Sequence, residues 1–202
     1  MKLYGNYWSN AARRVQMLCE ELGIPYTYET VALAEGKQYT PEYQCLNPNS
    51  KVPTIDDDGF LLWESQAIMR YLADKHKAHT WYPTDLKARA KVEQWLDWNQ
   101  TRLGPEAGKI MFNTNFAGDK RNDQAIADGK KWLLKILPVM NSALDNRSYL
   151  CGDQITLADL AAATNIAYLE ACQTDFGPYP AIQRWFDAIK ARPSFAKTAP
   201  RV

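Results

Sequence analysis

Apolar residues in the first third of the chain change their period several times. Residues 2–4 form a short apolar start that ends at Gly5. Residues 10–22 then place Ala11, Val15, Leu18, Cys19 and Leu22 at i, i+4, i+7, i+8 and i+11, the stripe of an amphipathic helix. Gly23 is placed to stop it, with Pro25 two positions later. Residues 26–31 alternate aromatic or β-branched side chains with polar ones and read as a second strand, and residues 41–46 suit one short helix. Residues 52–55 and 60–63 flank Asp56-Asp57-Asp58-Gly59, and Asp-Gly between apolar runs signals a hairpin. Residues 65–77 return to helical spacing, with Ile68, Tyr71 and Leu72 on one face. The order β-α-β, a connection, then β-β-α predicts a parallel pair joined by a right-handed crossover, extended by an antiparallel hairpin. That is a small, mixed, four-stranded α/β sheet.

Beyond residue 85 the strand pattern ends. Residues 86–101 carry Ala90, Val92, Trp95 and Leu96, with Trp98 and Leu103 nearby, in a long helix expected to stop at Gly104-Pro105. Residues 124–144 predict a second helix, bent at Pro138. Residues 156–172 open on Thr156-Leu157-Ala158-Asp159, a capping box with Asp in the fourth place, flanked by Ile155 and Leu160 as a hydrophobic staple. Asp159 is therefore expected to be a buried cap partner whose loss harms folding. Residues 181–190 form a last helix, closed by Arg192-Pro193. The chain divides into an α/β domain over 1–78, a linker over 79–86 containing Trp81-Tyr82-Pro83, and an all-α domain over 87–202.

Composition narrows the function by exclusion. A chain with 46% hydrophobic and 23% charged residues is an ordinary globular protein, and a net charge of +1 supplies no field to recruit nucleic acid or an anionic membrane. No apolar run approaches a membrane span, and Met1-Lys2-Leu3-Tyr4-Gly5 has no secretory apolar core, so a cytoplasmic location is expected. Cys19, Cys45, Cys151 and Cys172 are scattered, with no CxxC and no paired histidines, which points to neither a metal site nor a disulfide framework.

The candidate chemistry lies between Asn47 and Leu72. Pro53 stands where a strand should begin, and its missing N–H denies the sheet one bond. It is either an ordinary trans proline at a strand edge or a cis proline that turns the Val52 N–H and C=O outward toward a ligand. Glu64-Ser65 stands where a helix should begin. Ser65 is either a plain N-cap or a carboxylate contact at the positive end of the helix, with Glu64 placed to hold an ammonium. Read together, these segments suit a peptide with a free γ-glutamyl end.

The run Asn47-Pro48, Lys51-Val52-Pro53, Glu64-Ser65-Gln66-Ala67-Ile68 and Tyr71-Leu72 resembles the glutathione-binding core of the cytosolic glutathione transferases. Ile155-Thr156-Leu157-Ala158-Asp159 resembles that family's capping motif. Tyr179-Pro180-Ala181-Ile182, Trp185 and Arg192-Pro193 resemble its closing helix. The resemblance implies a thioredoxin-like first domain with a cis proline at Pro53, a helical second domain, a homodimer, and glutathione as co-substrate without a metal. The thiol-activating residue of the family lies near the end of the first strand. Three residues could fill that role: Ser9, Asn10 and Tyr7. Ser9, four residues ahead of Arg13-Arg14, is favoured, because this spacing resembles the bacterial, serine-type and phi- or theta-like members. Cys19 falls on the apolar stripe and reads as core, which argues against members that work through a mixed disulfide. Lys51 suits the glycyl carboxylate of glutathione, and Lys37 and Gln38 are weaker candidates for the same end. Met111, Phe112, Asn115 and Phe116 could line the site of a small hydrophobic electrophile or serve as packing. The expected activity is conjugation. Glutathione-dependent disulfide or peroxide reduction, or a non-catalytic transferase-like module, are the alternatives.

Overall fold

A computed structural model describes residues 1–200. It contains two compact units: Met1–His79 together with the segment from Arg192 onward, and Thr80–Ala191. The return of the segment from Arg192 to the first unit differs from a simple division at the linker.

In the first unit, β1 (Lys2–Gly5), β2 (Thr27–Thr30), β3 (Thr54–Asp57) and β4 (Phe60–Trp63) form one sheet in the order β2-β1-β3-β4. β1 and β2 are parallel, with Gly5 opposite Thr30. β3 runs antiparallel to both neighbours, with Thr54 opposite Tyr4 on one side and Trp63 on the other. The register has a direct consequence. The chain leaves β1 and β2, enters β3 and leaves β4 all at one end of the sheet. Helices α1 (Asn10–Leu22) and α3 (Ser65–Lys75) cover the sheet's apolar side chains. Leu3, Val15, Leu18, Ile55, Ile68, Met69 and Leu72 are all at most 1% exposed. Each such burial stabilises the fold by about 1.5–3 kcal/mol before entropy is counted.

Several sequence expectations shift in detail. β3 begins at Thr54, two residues later than expected, because Pro53 has no N–H for the ladder. The hairpin turn narrows to Asp58 and Gly59, at φ 55° and 92°, a two-residue turn with both residues in the left-handed region. Asp57 thereby joins the strand and is buried, where it accepts from the Tyr71 hydroxyl at 2.6 Å and from the Lys75 ammonium. Those two donors hold its carboxyl below the ordinary carboxylate range. α3 ends at Lys75, two residues short of the expected 77.

The final segment also differs. Pro193 does not close the chain's helices but opens α9 (Pro193–Lys197), since proline is well suited to the first turn, where its missing N–H has no intrahelical partner. α9 packs on α1. Glu21 at the end of α1 accepts from Arg192 Nε at 2.7 Å and Nη2 at 2.6 Å, and from the Ser194 hydroxyl. Burial raises the Glu21 carboxyl, but these bonds outweigh it and the net direction is downward. A depressed carboxylate stabilises the fold above its unfolded pKa and loses that contribution as pH falls through its folded value. Glu21→Gln should therefore melt below wild type at pH 7, by the equivalent of about 1–2 kcal/mol. The gap should close at about pH 3, below the ordinary glutamate pKa. Melting curves of both proteins across that range check it, and a gap independent of pH would contradict it.

The second unit is helical, comprising α4 (Leu86–Trp98), α5 (Gly104–Met111), α6 (Asp123–Leu144), α7 (Leu157–Ala171) and α8 (Pro180–Lys190). Gly104-Pro105 does not stop α4. A π-helical turn, Asn99–Leu103, carries the chain straight into α5 and accommodates Pro105 in its first turn. Gly104 is required there, since a Cβ would stand 2.9 Å from the Asn99 carbonyl oxygen and 3.4 Å from Asn165 Nδ2 of α7. Pro138 lies inside α6 without ending it, on its exposed face. α7 is buried nearly all round, and its capping box is present. Ile155 and Leu160, on either side of the box, are both buried. Among the described residues, no helix is long and apolar enough to cross a membrane.

Candidate functional site

Four short segments emerge at the shared end of the sheet, and together with Asn10 at the start of α1 they carry the candidate site residues of the first unit. The first is residues 6–9, after β1. Ser9 is the N-cap of α1, with extended backbone at φ −86° and ψ 112°, and its Oγ accepts the Ala12 N–H at 3.2 Å. That bond uses the hydroxyl oxygen and leaves its hydrogen to donate elsewhere. The segment is held from the sheet side by Asn6. Its Nδ2 donates to the Val31 carbonyl at 3.0 Å, its Oδ1 accepts the Trp8 N–H at 3.0 Å, and its carbonyl accepts the Ser9 N–H at 2.9 Å. Tyr7 turns its ring against Tyr28, with centroids 4.9 Å apart. Asn10 is the first residue of α1, half-buried. Asn6 was not anticipated from the sequence; an Asn three residues before a capping serine was the available signal.

The second segment holds Lys51, Val52 and Pro53. The Val52–Pro53 peptide bond is cis. The ladder with β1 and β4 starts at Thr54, so the main chain of Val52 stands outside it. The Lys51 carbonyl is fixed by the Tyr43 hydroxyl at 2.7 Å and by Asn47 Nδ2 at 2.9 Å, and the Tyr43 hydroxyl also meets Thr54 Oγ1 at 3.2 Å. Burial pushes the Tyr43 phenol up, which keeps it a donor. Lys51 itself is exposed. Tyr43 and Asn47 thus lock the approach to the cis bond, a role visible only once α2 (Pro41–Leu46) is placed.

The third segment is Glu64-Ser65, directly after β4. Ser65 is not the cap of α3 but its first residue; the cap is Glu64, whose side chain makes no capping bond. Glu64 sits at φ 71° and ψ 109°, a conformation that costs a non-glycine residue of order 1–3 kcal/mol. Ser65 and Gln66 are buried at the helix start, where the first amides lack intrahelical acceptors. The strain holds an exposed carboxylate beside a helix N-terminus, which offers one anionic and one cationic contact within two residues.

The fourth segment follows β2. Lys37 and Gln38 lie in a short 3₁₀ turn, Lys37–Tyr39, with Lys37 exposed. Gln38 Oε1 is buried with no hydrogen-bond partner among the described residues.

Residues 8–75 match the model of the glutathione S-transferase N-terminal domain, and residues 103–193 that of its C-terminal domain. Mouse glutathione S-transferase theta-3 is 33% identical over 198 residues, spanning 95% of this chain and 82% of the relative. The chain belongs to the glutathione S-transferase family. Poplar glutathione transferase F1 superposes with a TM-score of 0.91 at 28% identity, over 98% of this chain and 95% of that one. A glutathione transferase family member from Pseudomonas fluorescens, solved with two glutathione bound, superposes with a TM-score of 0.89 at 27% identity, over 98% and 92% of the two chains.

Within this family frame, no cysteine occupies the segment between β1 and α1. Cys19 is fully buried in α1, and burial pushes its thiol up to about 12, so it cannot supply a thiolate near neutral pH. In the helical unit, Met111 is 3% exposed, and its Sδ accepts Asn115 Nδ2 at 3.2 Å. Asn115 also reaches Cys172 Sγ, at 3.5 Å. Phe112 is 55% exposed and Phe116 46%. Of these residues, the two phenylalanines present apolar surface.

Proposed function

We propose that the chain conjugates glutathione to a small hydrophobic electrophile and that Ser9 is the residue that activates the thiol. The Ser9 hydroxyl donates to the glutathione sulfur and stabilises it as thiolate, beside the N-terminus of α1. The thiolate then forms a C–S bond to the electrophilic carbon, whose leaving group departs with the bonding electrons; the thiol proton goes to solvent. Asn10 and Tyr7 flank this donor. The main chain of Val52, ahead of Pro53, pairs with the cysteinyl unit of glutathione. Glu64 holds the γ-glutamyl ammonium, and Ser65 with the α3 N-terminus holds its carboxylate. Lys51, with Lys37 and Gln38, faces the glycyl carboxylate. Met111, Phe112 and Asn115 are assigned to the electrophile. The observation that supports this reading is the strand register, which brings the four candidate segments out at one end of the sheet. As the resemblance implies, the protein works in the cytoplasm as a homodimer. Phe60, Leu61 and Trp63, 48%, 39% and 38% exposed on the edge strand β4, favour association.

Substituting Glu64 tests the grip. Glu64→Gly relieves a positive φ, so its melting temperature should equal or exceed that of wild type. Its dissociation constant for glutathione should rise about tenfold, by loss of a charged contact. Calorimetric titration and a thermal scan on one preparation read both, and wild-type affinity in the variant removes Glu64 from the site. Turnover of a chloronitrobenzene-type substrate, against a disulfide substrate, separates conjugation from reduction.

A further inference from the structure

α1 carries an unusual load for an amphipathic helix: Arg13 and Arg14 are 7% and 3% exposed, so charged side chains lie on its buried side. The Arg13 guanidinium lies 4.0 Å from the centre of the Phe195 ring. Its Nη2 donates to the Phe195 carbonyl at 3.0 Å, and its Nε lies 3.5 Å from Thr198 Oγ1. Thr198 Oγ1 is itself fixed by donating to the Ser194 carbonyl at 2.8 Å. At the far end of the same helix, Glu21 takes Arg192 and Ser194, and Glu20 takes Lys197 at 3.1 Å. Residues 192–198 therefore run along α1 and hold it near both its first and its last turn.

The first turn is where Ser9 sits. The Arg13 N–H donates to the Ser9 carbonyl at 2.9 Å, while the Ser9 N–H donates to Asn6, which is anchored on Val31. Ser9 is thus suspended between two supports, the sheet through Asn6 and the C-terminal segment through Arg13. A hydroxyl-to-thiolate bond weakens steeply once its distance or angle leaves the favourable range, so a small shift of the first turn degrades it. The γ-glutamyl grip assigned above lies at the start of α3, outside the turn that Arg13 supports.

We propose that the C-terminal segment, residues 192–198, sets the position of the Ser9 hydroxyl by holding α1 through Arg13, which makes Arg13 a positioning residue for thiolate formation. This rests on the assignment of Ser9 above. Truncating the Phe195 ring, in Phe195→Ala, releases the face on which the guanidinium lies. Arg13→Lys keeps the charge and the aliphatic stem but loses the planar fork.

The experiment is an absorbance titration of the thiolate of bound glutathione, with steady-state kinetics against pH. Phe195→Ala and Arg13→Lys should each raise the bound thiol pKa by about 0.5–1 unit, which is about three- to tenfold in thiolate fraction below that pKa. kcat/KM should fall by about two- to fivefold at pH about 6.5, approach the full factor at lower pH, and recover at alkaline pH, where the thiol ionises unaided. KM for glutathione should stay within about twofold. In a Ser9→Ala background the effect of Phe195→Ala on the thiol pKa should vanish, because the segment acts through Ser9. A lower melting temperature with an unmoved thiol pKa would reduce the segment to a structural prop. An equal shift in the Ser9→Ala background would also overturn the positioning role. If Ser9→Ala alone leaves the thiol pKa at the wild-type value, the Ser9 assignment fails and the positioning role fails with it. Should Phe195→Ala not fold, Arg13→Lys decides by the same readings.

Discussion

Replacing Ser9 by alanine should raise the thiol pKa of bound glutathione by about one to two units and cut kcat/KM at neutral pH by about three- to twenty-fivefold. The size follows from the chemistry. A free thiol with pKa about 8.5 is only a few per cent ionised at pH 7, and lowering it by two units requires about 2.7 kcal/mol of selective thiolate stabilisation. One hydroxyl donor to an anion supplies about 1.5–3 kcal/mol, with a smaller share from the α1 N-terminus. The same substitution removes the cap on Ala12, which costs stability by about 1 kcal/mol. Ser9→Asn separates the two roles: asparagine caps a helix as well as serine does, but its longer amide places a donor elsewhere. It should restore the melting temperature without restoring the thiol pKa. If Ser9→Ala leaves the thiol pKa low while Tyr7→Phe raises it, the phenol of Tyr7 is the donor instead.

Asp159→Ala should be the most damaging single change to the fold, at about 3–5 kcal/mol. Asp159 is fully buried and accepts four hydrogen bonds: from Leu150 N–H at 2.9 Å, Thr156 N–H at 2.8 Å, Thr156 Oγ1 at 3.1 Å and Trp185 Nε1 at 2.9 Å. Burial pushes its carboxyl up, against the pull of those donors. Removing the carboxylate strands buried N–H groups at three places in the chain, and it loosens Trp185, the largest fully buried side chain. Asp159→Asn should be nearly as severe, since both oxygens are already accepting from N–H donors and the amide must turn an N–H against one of them. Denaturant unfolding of the helical unit, followed by Trp fluorescence, measures both. A loss of about 1 kcal/mol or less for Asp159→Ala would mean that the network is dispensable.

The two predictions differ in how far the sequence alone supports them. Asp159 was readable because a capping box is a local device, whose partners lie within four residues and whose spacing sets its geometry. Its long-range partners, Leu150 and Trp185, were not readable, since nothing in the local pattern says which amides a buried carboxylate will meet. The same division holds at the glutathione end. The strands, α1 and the Asp-Gly turn followed from period and turn chemistry. Gly104-Pro105 and Pro193 misled, because a proline marks a first turn as readily as a stop, and the deciding factor is whether neighbouring residues continue the helix. At Ser65 two readings stood open, a plain cap and a ligand contact, and the structure removes the first, because the cap is a strained Glu64 that no propensity would place there.

By itself, the sequence determined the α/β and all-helical parts and the strand and helix order, because these rest on local periodicity and turn chemistry, and its short motifs carried the family resemblance and nominated the candidate site residues. Only the tertiary structure decided that four separate segments share one end of the sheet, since that follows from strand register across the sheet. It also decided that Arg13 and Glu21 face inward. Their partners stand more than 170 residues away, on a segment that folds back to the first unit, and a charged side chain is buried only where such partners exist.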